Sequence, residues 1–287
     1  MSTLYGSWFG ELGWIVAFYA PAMRAASRRH GRCVIALDES LSYLVEDFAE
    51  TVALKCEGHA QHTGRVLEGK DRLEAMLAAG GPEDETLTGR DAMIMAKSLP
   101  LEHFRYGSPR PRVALPFYGG GGILDEPPPG CTPMAGNVVC FFRAPKPLSA
   151  GRGDPLRKSY PEPMAEELVR LLAPEGPHVV PVGCAGGLDN LHYPPAADMR
   201  GAPLWLLCEV LAKAKCAVGP SSGTMHLAQR CGCPVVTWTD GHANVRRRYE
   251  LAPPAGWNAF GTRTIYMGNA NPEPRAVAEE IWKLCGN

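Results

Sequence analysis

Short apolar runs alternate with stretches of helical periodicity along the second half of the chain. Four apolar runs have the length and composition of buried strands: 137–142, 178–183, 216–219 and 234–238. Four stretches of helical length separate or follow them: 163–173, 204–214, 222–232 and 272–285. Alternation at this spacing is typical of a parallel sheet whose strands are joined by right-handed helical crossovers. The second half is therefore predicted to be an α/β domain.

The first half follows the same alternation less regularly. Two runs, 3–8 and 33–38, predict strands, and four stretches predict helices: 11–29, 41–52, 72–81 and 92–104. Residues 106–130 hold too much proline and glycine for a regular element. The four glycines from Gly119 to Gly122 lack the following Gly-Lys-Ser/Thr of a phosphate-binding loop. We therefore predict a connecting loop between two α/β halves.

The length of 287 residues suits two domains. We place them at 1–130 and 131–270, with a terminal helix in 271–287 that packs back towards the first domain. The chain is 45% hydrophobic and 21% charged, as globular proteins are, and it holds no run of about 18 apolar residues that would predict a membrane span. The net charge of −1 gives no overall field for nucleic acid, although a local basic patch stays open. Ten cysteines without a CxxC pair predict reduced thiols in the cytoplasm.

One junction carries the strongest chemical signal. The run 216–219 predicts a strand, small residues follow, and a helix begins near Gly223. Free N–H groups at a helix start, with the positive end of the helix dipole, bind anions. Three hydroxyl donors lie close by: Ser221, Ser222 and Thr224. Gly223 leaves room for a phosphate, and His226 follows one turn later. The alternative is an ordinary capped crossover with a histidine that faces the core.

The same segment resembles the donor-site signature of family 9 glycosyltransferases, the heptosyltransferases. That signature is a strand, then Asp or Ser, Ser or Thr, Gly, two further residues, His-Leu-Ala and Gly-x-Pro, and it matches residues 221–228 and 232–234. The family usually has aspartate where this chain has Ser221, which bears on the choice of sugar and nucleotide. A looser likeness over 10–14, with Pro21 and Arg24, is to viral and environmental relatives of these transferases.

The resemblance implies a GT-B fold, in which two Rossmann-like domains face each other across a cleft. The first domain then holds the acceptor and the second holds the nucleotide sugar. Glu11, which follows the first predicted strand, is implied as the catalytic base that takes a proton from the acceptor hydroxyl. The alternative is that Glu11 complements a helix dipole. The acceptor side is implied to include Gly10, Trp14, Arg24 and Asp240.

On the donor side, the resemblance and the residue chemistry imply two further groups. Arg143 and Lys158 stand in a basic loop after the run 137–142, where cations neutralise a departing diphosphate. Gly183 and Asp189 end or follow the run 178–183, beside the expected base or ribose. The complete donor set is Arg143, Lys158, Gly183, Asp189, Ser221, Ser222, Gly223, Thr224 and His226.

These residues imply an inverting hexosyl- or pentosyltransferase that needs no metal and no cofactor besides its nucleotide-sugar co-substrate. No Asp-x-Asp stands at the end of a predicted strand. The acceptor is either a saccharide or a hydroxymethylated DNA base, as in bacteriophage DNA modification. For DNA, the positive charge comes from Arg24, Arg28, Arg29 and Arg32 and from the arginines at 246–248. The alternatives are a non-catalytic nucleotide- or carbohydrate-binding module of the same fold and a nucleotide-sugar epimerase.

Overall fold

The chain forms two compact units, seen in a computed structural model. The described residues are 1–9, 12–57, 65–97, 99, 117–119, 122–124, 138–142, 160–172, 179–183, 199–202, 204–239, 249–251, 256–258 and 260–286. Contacts divide the chain into Met1–Tyr106 with Ala252–Gly261, and Gly107–Leu251 with Thr262–Asn287. Each unit contains a sheet with mostly parallel strands, so the α/β class predicted from the sequence is confirmed.

The first unit is built on a five-stranded sheet. Its strands are β1 (Thr3–Trp8), β2 (Arg32–Asp38), β3 (Glu50–Glu57), β4 (Arg65–Glu68) and β5 (Glu85–Leu87). They lie in the order β4-β3-β2-β1-β5, and of these five β4 alone runs antiparallel to its neighbour. The chain leaves β1 towards β2 and returns later on the other side as β5. The carboxyl end of β1 is therefore the switch point of this sheet, where α/β proteins bind ligands.

The helical stretch after β1 contains one wider turn. It consists of α1 (Leu12–Trp14), a π-helix (Ile15–Tyr19) and α2 (Ala20–Ser27). Pro21 has no N–H to donate to the carbonyl of Ala17, and its ring would press on that carbonyl in a regular α-helix. The N–H of Ala20 instead bonds to the carbonyl of Ile15, five residues back, which widens the turn in front of the proline. The helix predicted over 11–29 is thus present over 12–27 in an altered form.

The helix predicted over 41–52 is wrong. A 3-10 helix (Glu39–Leu44) begins this stretch, and β3 starts at Glu50. Residues 50–54 pair in parallel with 34–38 of the buried strand β2. This pairing overrides the local helical pattern because main-chain hydrogen bonds and side-chain burial are gained together.

Two further helices of the first unit agree with the sequence pattern. They are α3 (Lys70–Ala78) and α4 (Gly89–Ala96). The end of the stretch predicted as helix over 92–104 lies outside the described residues. In the predicted connecting loop, β6 (Phe117–Gly119) and β7 (Gly122–Leu124) form a small antiparallel pair that the composition did not predict.

The second unit is built on a six-stranded sheet in which all pairs are parallel. Its strands are β8 (Val138–Phe141), β9 (Val179–Gly183), β10 (Met199–Arg200), β11 (Cys216–Pro220), β12 (Val235–Trp238) and β13 (Thr264–Met267). Their order is β10-β9-β8-β11-β12-β13. β9 and β10 thus extend from β8 in one direction, and β12 and β13 extend from β11 in the other. This is the order of a doubly wound α/β sheet, with its switch point between β8 and β11.

The described helices of the second unit are α5 (Glu162–Leu172), α6 (Leu204–Lys213), α7 (Gly223–Arg230) and α8 (Pro274–Cys285). The core of this unit lies between one face of the sheet and two of these helices, α5 and α8. The apolar stripe of α8 is Val277, Ala278, Ile281 and Leu284, and it is buried with α5 over β11 and β12. From the sequence, the terminal helix was expected to pack back towards the first domain. It packs on the second unit instead, because the stripes of α5 and α8 complete one shared core.

No helix in the described part of the chain is long and apolar enough to cross a membrane. The eight cysteines that the structure describes are all free thiols. Six of them are buried, where a thiol packs as a small apolar side chain.

The Asp84 carboxylate ties the start of β1 to the turn before β5, and this tie should depend on pH. It accepts hydrogen bonds from the N–H groups of Gly81 (2.7 Å) and Thr3 (2.6 Å). The Gly81 amide first, and then the Thr3 amide, lowers the pKa of Asp84 in the folded state. A lowered folded-state pKa adds stability above the unfolded value of about 4, and this stability is lost as the pH falls through the folded value.

We therefore expect Asp84→Asn to lower the free energy of unfolding at about pH 7 and to differ little from the parent at about pH 2. Denaturant titration of both proteins at the two pH values measures this. Glu83→Gln, at the neighbouring exposed position, is the control. A stability difference that is the same at both pH values would contradict the assignment.

Candidate functional site

The candidate site lies where the second sheet changes its winding direction. Gly219 of β11 lies beside Phe141 of β8 so closely that a Cβ on this glycine would collide with the Phe141 carbonyl oxygen. Glycine thus lets the two strands approach each other at their carboxyl ends. The chain continues from β11 through Ser221 and Ser222 into α7. The strand, turn and helix predicted for this junction are confirmed.

The backbone of the junction leaves the start of α7 open. Ser222 occupies the N-cap position with extended backbone, and its carbonyl accepts hydrogen bonds from the N–H groups of Met225 (3.1 Å) and His226 (3.2 Å). Its side chain forms no capping hydrogen bond. The side chain that usually caps the start of a helix therefore leaves the amides of Gly223 and Thr224 uncapped. Together with the positive end of the helix dipole, they suit an anion.

The Ser222 hydroxyl is a second sign of a ligand. Its Oγ atom is buried and has no hydrogen-bond partner among the described residues. A buried hydroxyl without a partner costs free energy, because it has lost its hydrogen bonds to water and gained none. A ligand oxygen at the start of α7 would supply the missing partner.

Ser221 is held more firmly than its neighbour. Its side chain is 3% exposed, and its N–H donates to the carbonyl of Trp238 at 2.7 Å. Its Oγ accepts a hydrogen bond of 2.5 Å from the phenol of Tyr249. The Tyr249 ring stacks on Tyr266 of β13, with ring centroids 4.6 Å apart and planes at 12°. Tyr249 was not among the predicted site residues, and it stands 28 positions after Ser221.

His226 belongs to a fixed chain of hydrogen bonds. Its Nδ1 lies 3.3 Å from Oε1 of the buried Gln229, whose Nε2 donates to Thr264 Oγ at 3.1 Å. Thr264 in turn donates its proton to the carbonyl of Thr262 at 3.0 Å. The Thr264 hydroxyl already donates its one proton to Thr262, so towards Gln229 it can only accept, and the Gln229 Nε2 atom is its donor. The Gln229 Oε1 atom therefore faces the histidine. The proton of a neutral His226 ring is thus assigned to Nδ1.

The other predicted donor residues are placed as follows. Thr224 is 7% exposed in the first turn of α7. Gly183 ends β9, which neighbours β8, so it lies at the same edge of the sheet as Ser221. Arg143, Lys158 and Asp189 lie outside the described residues, and their donor-side roles stay predictions.

Two of the predicted acceptor-side residues are described. Arg24 forms an ion pair with Asp47, and its guanidinium carbon lies 4.6 Å from the centre of the Phe48 ring. These contacts tie α2 to the turn that precedes β3. Trp14 packs on Phe18 with ring centroids 5.3 Å apart. The remaining predicted residues, Gly10, Glu11 and Asp240, lie outside the described residues.

Side chains of the metal-binding kind do not cluster in the described ranges. No group of three or more His, Cys, Asp or Glu side chains there is placed to hold a metal ion. The junction itself offers amides, hydroxyls and an imidazole. Such neutral donors bind an anion through hydrogen bonds and the helix dipole.

No protein-family model matches the sequence, and no curated protein matches it. Solved structures do match. The chain is similar to a family 9 glycosyltransferase from Veillonella parvula, with a TM-score of 0.61, 11% identity, and coverage of 99% of this chain and 97% of that one. It is similar to Escherichia coli ADP-heptose lipopolysaccharide heptosyltransferase II, with a TM-score of 0.56, 17% identity and coverage of 99% and 98%.

A third similar structure is an E. coli heptosyltransferase with ADP-2-deoxy-2-fluoro heptose, at a TM-score of 0.53 and 13% identity, with 98% of this chain and 99% of that one covered. At such identities the likeness shows the fold. The fold is that of the GT-B glycosyltransferases, as the resemblance of the sequence implied.

The missing cap bond at Ser222 leads to a prediction about stability. Removing an N-cap hydroxyl usually costs about 0.5–2 kcal/mol. Ser222→Ala should cost clearly less, because this hydroxyl caps nothing and is buried without a partner. Thr88→Ala is the matched control, since Thr88 Oγ accepts from the Asp91 N–H at 3.2 Å at the start of a helix of equal length. Equal losses in the free energy of unfolding would show that Ser222 is an ordinary cap.

Proposed function

We propose that this protein is a glycosyltransferase that moves a hexosyl or pentosyl group from a nucleotide sugar to an acceptor hydroxyl. The observation that carries the proposal is the start of α7, with its uncapped amides and the unpartnered Ser222 hydroxyl, at the switch point between β8 and β11. This is where doubly wound sheets bind nucleotides. Two of the similar structures have names that mention ADP-heptose or an ADP-heptose analogue.

The diphosphate of the donor is proposed to bind at this helix start. Developing negative charge on the leaving nucleoside diphosphate is stabilised by preorganised donors, here the first amides of α7 and the hydroxyls of Ser221, Ser222 and Thr224. Arg143 and Lys158 are proposed to supply positive charge from the loop after β8, where a guanidinium suits bidentate phosphate contact. Asp189 is proposed to contact the ribose or base.

Glu11 is proposed as the general base of an inverting transfer. It stands three positions after the end of β1, and the carboxyl end of β1 is the switch point of the first sheet. Asp38 at the end of β2 is less suited to this role. Its carboxylate already accepts hydrogen bonds from the N–H groups of Ser40 and Cys56, each at 3.0 Å, so its lone pairs are engaged in holding the turn.

The acceptor is proposed to be a saccharide. A cavity of about 710 Å³ opens in the first unit beside the end of β2, and its lining includes Glu39, Arg72 and the ion pair of Lys55 with Glu68 at 2.7 Å. Carboxylates and cations around one cavity offer both acceptors and donors to a polyhydroxylated ligand. Two E. coli structures of similar fold are named heptosyltransferases.

A hydroxymethylated DNA base is the other acceptor class, and three ion pairs disfavour it. Three of the four first-unit arginines expected to face DNA are matched with acids: Arg24 with Asp47, Arg29 with Glu85 at 3.9 Å, and Arg32 with Glu50 at 2.6 Å. Paired arginines add little net positive potential for a phosphate backbone. The arginines at 246–248 lie outside the described residues.

The test is a panel of nucleotide sugars titrated calorimetrically, followed by assays of nucleoside diphosphate release with saccharide acceptors, with hydroxymethylcytosine DNA and with no acceptor. Release that requires a saccharide supports the proposal, and release that requires the DNA replaces the acceptor class. Binding without turnover identifies a binding module. Conversion of the donor without acceptor identifies an epimerase or hydrolase. A folded protein that binds no nucleotide sugar would overturn the proposal.

Turnover should persist in EDTA. Amides, hydroxyls and the cations near Arg143 are proposed to meet the charge of the diphosphate, in place of a divalent metal ion. The measurement is nucleoside diphosphate release with EDTA, with and without added Mg²⁺ or Mn²⁺. Activity that is lost in chelator and restored by one of these ions would contradict metal independence.

Glu11→Gln should leave folding and donor binding intact, because the amide is nearly isosteric, and should lower turnover by roughly 10²–10⁴-fold. If Glu11 only complements a helix dipole, the loss appears instead as about 0.3–1 kcal/mol of stability. Asp91→Asn is the matched control, since Asp91 is the acidic residue in the first turn of α4 and is hydrogen-bonded to Thr88. Its turnover should stay near that of the parent. Normal turnover in Glu11→Gln would exclude Glu11 as the base.

A further inference from the structure

The hydrogen bond between Tyr249 and Ser221 joins two groups that are both held in place. The Tyr249 ring is stacked on Tyr266, and its hydroxyl lies 2.5 Å from Ser221 Oγ. Ser221 is buried and is fixed on its other side by the 2.7 Å hydrogen bond from its N–H to the Trp238 carbonyl. These contacts hold the Ser221 backbone and the Tyr249 ring on either side of the hydrogen bond. The pair is therefore placed at the β11–α7 junction by its surroundings.

The protonation state of Tyr249 allows the phenol to act as the donor of this hydrogen bond. Burial raises the pKa of Tyr249 above its usual value, although the nearby hydroxyls of Ser221 and Thr237 act in the opposite sense. The phenol therefore keeps its proton near neutral pH and can donate it. A serine hydroxyl has one proton and two lone pairs. When Tyr249 donates to Ser221, the serine proton has to point to another acceptor.

We propose that Tyr249 is a positioning residue that presents the Ser221 hydroxyl as a hydrogen-bond donor to a phosphate oxygen of the nucleotide. The proposal rests on the proposed function, because it needs a diphosphate at the start of α7. The donors run from phenol to serine to ligand, and each hydrogen bond in such a series polarises the next. The charged phosphate oxygen is the strongest acceptor of the series, so a bound ligand sets its direction.

A purely structural role makes a different prediction. In that case Tyr249 stabilises the junction, and its hydroxyl affects the thermal midpoint but no particular part of the ligand. If Tyr249 is a positioning residue, the loss of its phenol hydroxyl weakens only the contact between Ser221 and the phosphate. The affinity for a nucleoside diphosphate then falls while the affinity for the parent nucleoside stays the same.

The experiment compares Tyr249→Phe, Ser221→Ala and the double variant by calorimetric titration with a nucleoside diphosphate and its parent nucleoside, together with thermal midpoints. Tyr249→Phe should lower the affinity for the diphosphate by about three- to tenfold, and Ser221→Ala by at least as much, as expected for one hydrogen bond to a charged group. The double variant should resemble Ser221→Ala, because both changes remove one series of donors. Nucleoside affinity should not change.

Tyr160→Phe is the matched control. The Tyr160 hydroxyl also forms a buried hydrogen bond in the second unit, 2.6 Å to the carbonyl of Pro272. This variant should lower the midpoint and leave both affinities unchanged. A parent protein that binds no nucleotide overturns the proposed function and this inference with it.

A parent that binds, with Tyr249→Phe binding equally well, overturns the positioning role alone. The positioning role is also overturned if the losses of diphosphate affinity add up in the double variant, or if the affinity for the nucleoside falls as well. If Tyr249→Phe does not fold, Ser221→Ala decides, and unchanged diphosphate affinity there overturns the proposal.

Discussion

The close parallel pairing of β8 with β11 is the constraint on which the candidate site depends. The two strands are neighbours in the sheet, yet the chain leaves them in opposite directions, β8 towards β9 and β11 towards β12. Their crossover helices therefore diverge and leave the carboxyl ends of both strands open. At this edge the backbones of Gly219 and Phe141 lie so close together that a side chain at position 219 would not fit. Ser221 and Ser222 follow directly after β11, so the sheet fixes their positions more firmly than a loop would.

The second unit was predictable because its signals are local. β8, β9, β11 and β12 are continuous apolar runs, and α5, α6, α7 and α8 have clear helical periodicity, so each was predicted to within a few residues. β13 and β10 were not predicted. β13 has four residues, all with half-buried side chains, and β10 has only two residues. In the first unit, the helix predicted over 41–52 extends into the start of β3, because the pairing of β3 with β2 is not visible in the periodicity of this stretch.

The same distinction applies to the candidate site. The hydroxyls and the glycine from Ser221 to Thr224 stand in one short segment. The residues on either side of it predict the strand and the helix that flank the turn. Tyr249 and Thr264 reach the junction across 28 and 35 positions, through hydrogen bonds that only the folded chain creates. Their sequence neighbourhoods carry no motif for this. Sequence reasoning therefore finds the residues that face a ligand more readily than the residues that orient them.

The chemistry at position 221 bears on the proposed sugar transfer. A carboxylate, which the resembling family usually has there, only accepts hydrogen bonds, so it suits sugar hydroxyls and repels phosphate. A serine hydroxyl can both accept and donate hydrogen bonds. Because the protonated phenol of Tyr249 donates to Ser221, the serine oxygen keeps a partner when its own proton points to a ligand. In the proposed transfer, the leaving nucleoside diphosphate gains charge on its terminal phosphate. A neutral donor at position 221 would stabilise that charge as it forms, whereas a carboxylate would oppose it, so serine would favour the product side of the proposed transfer step.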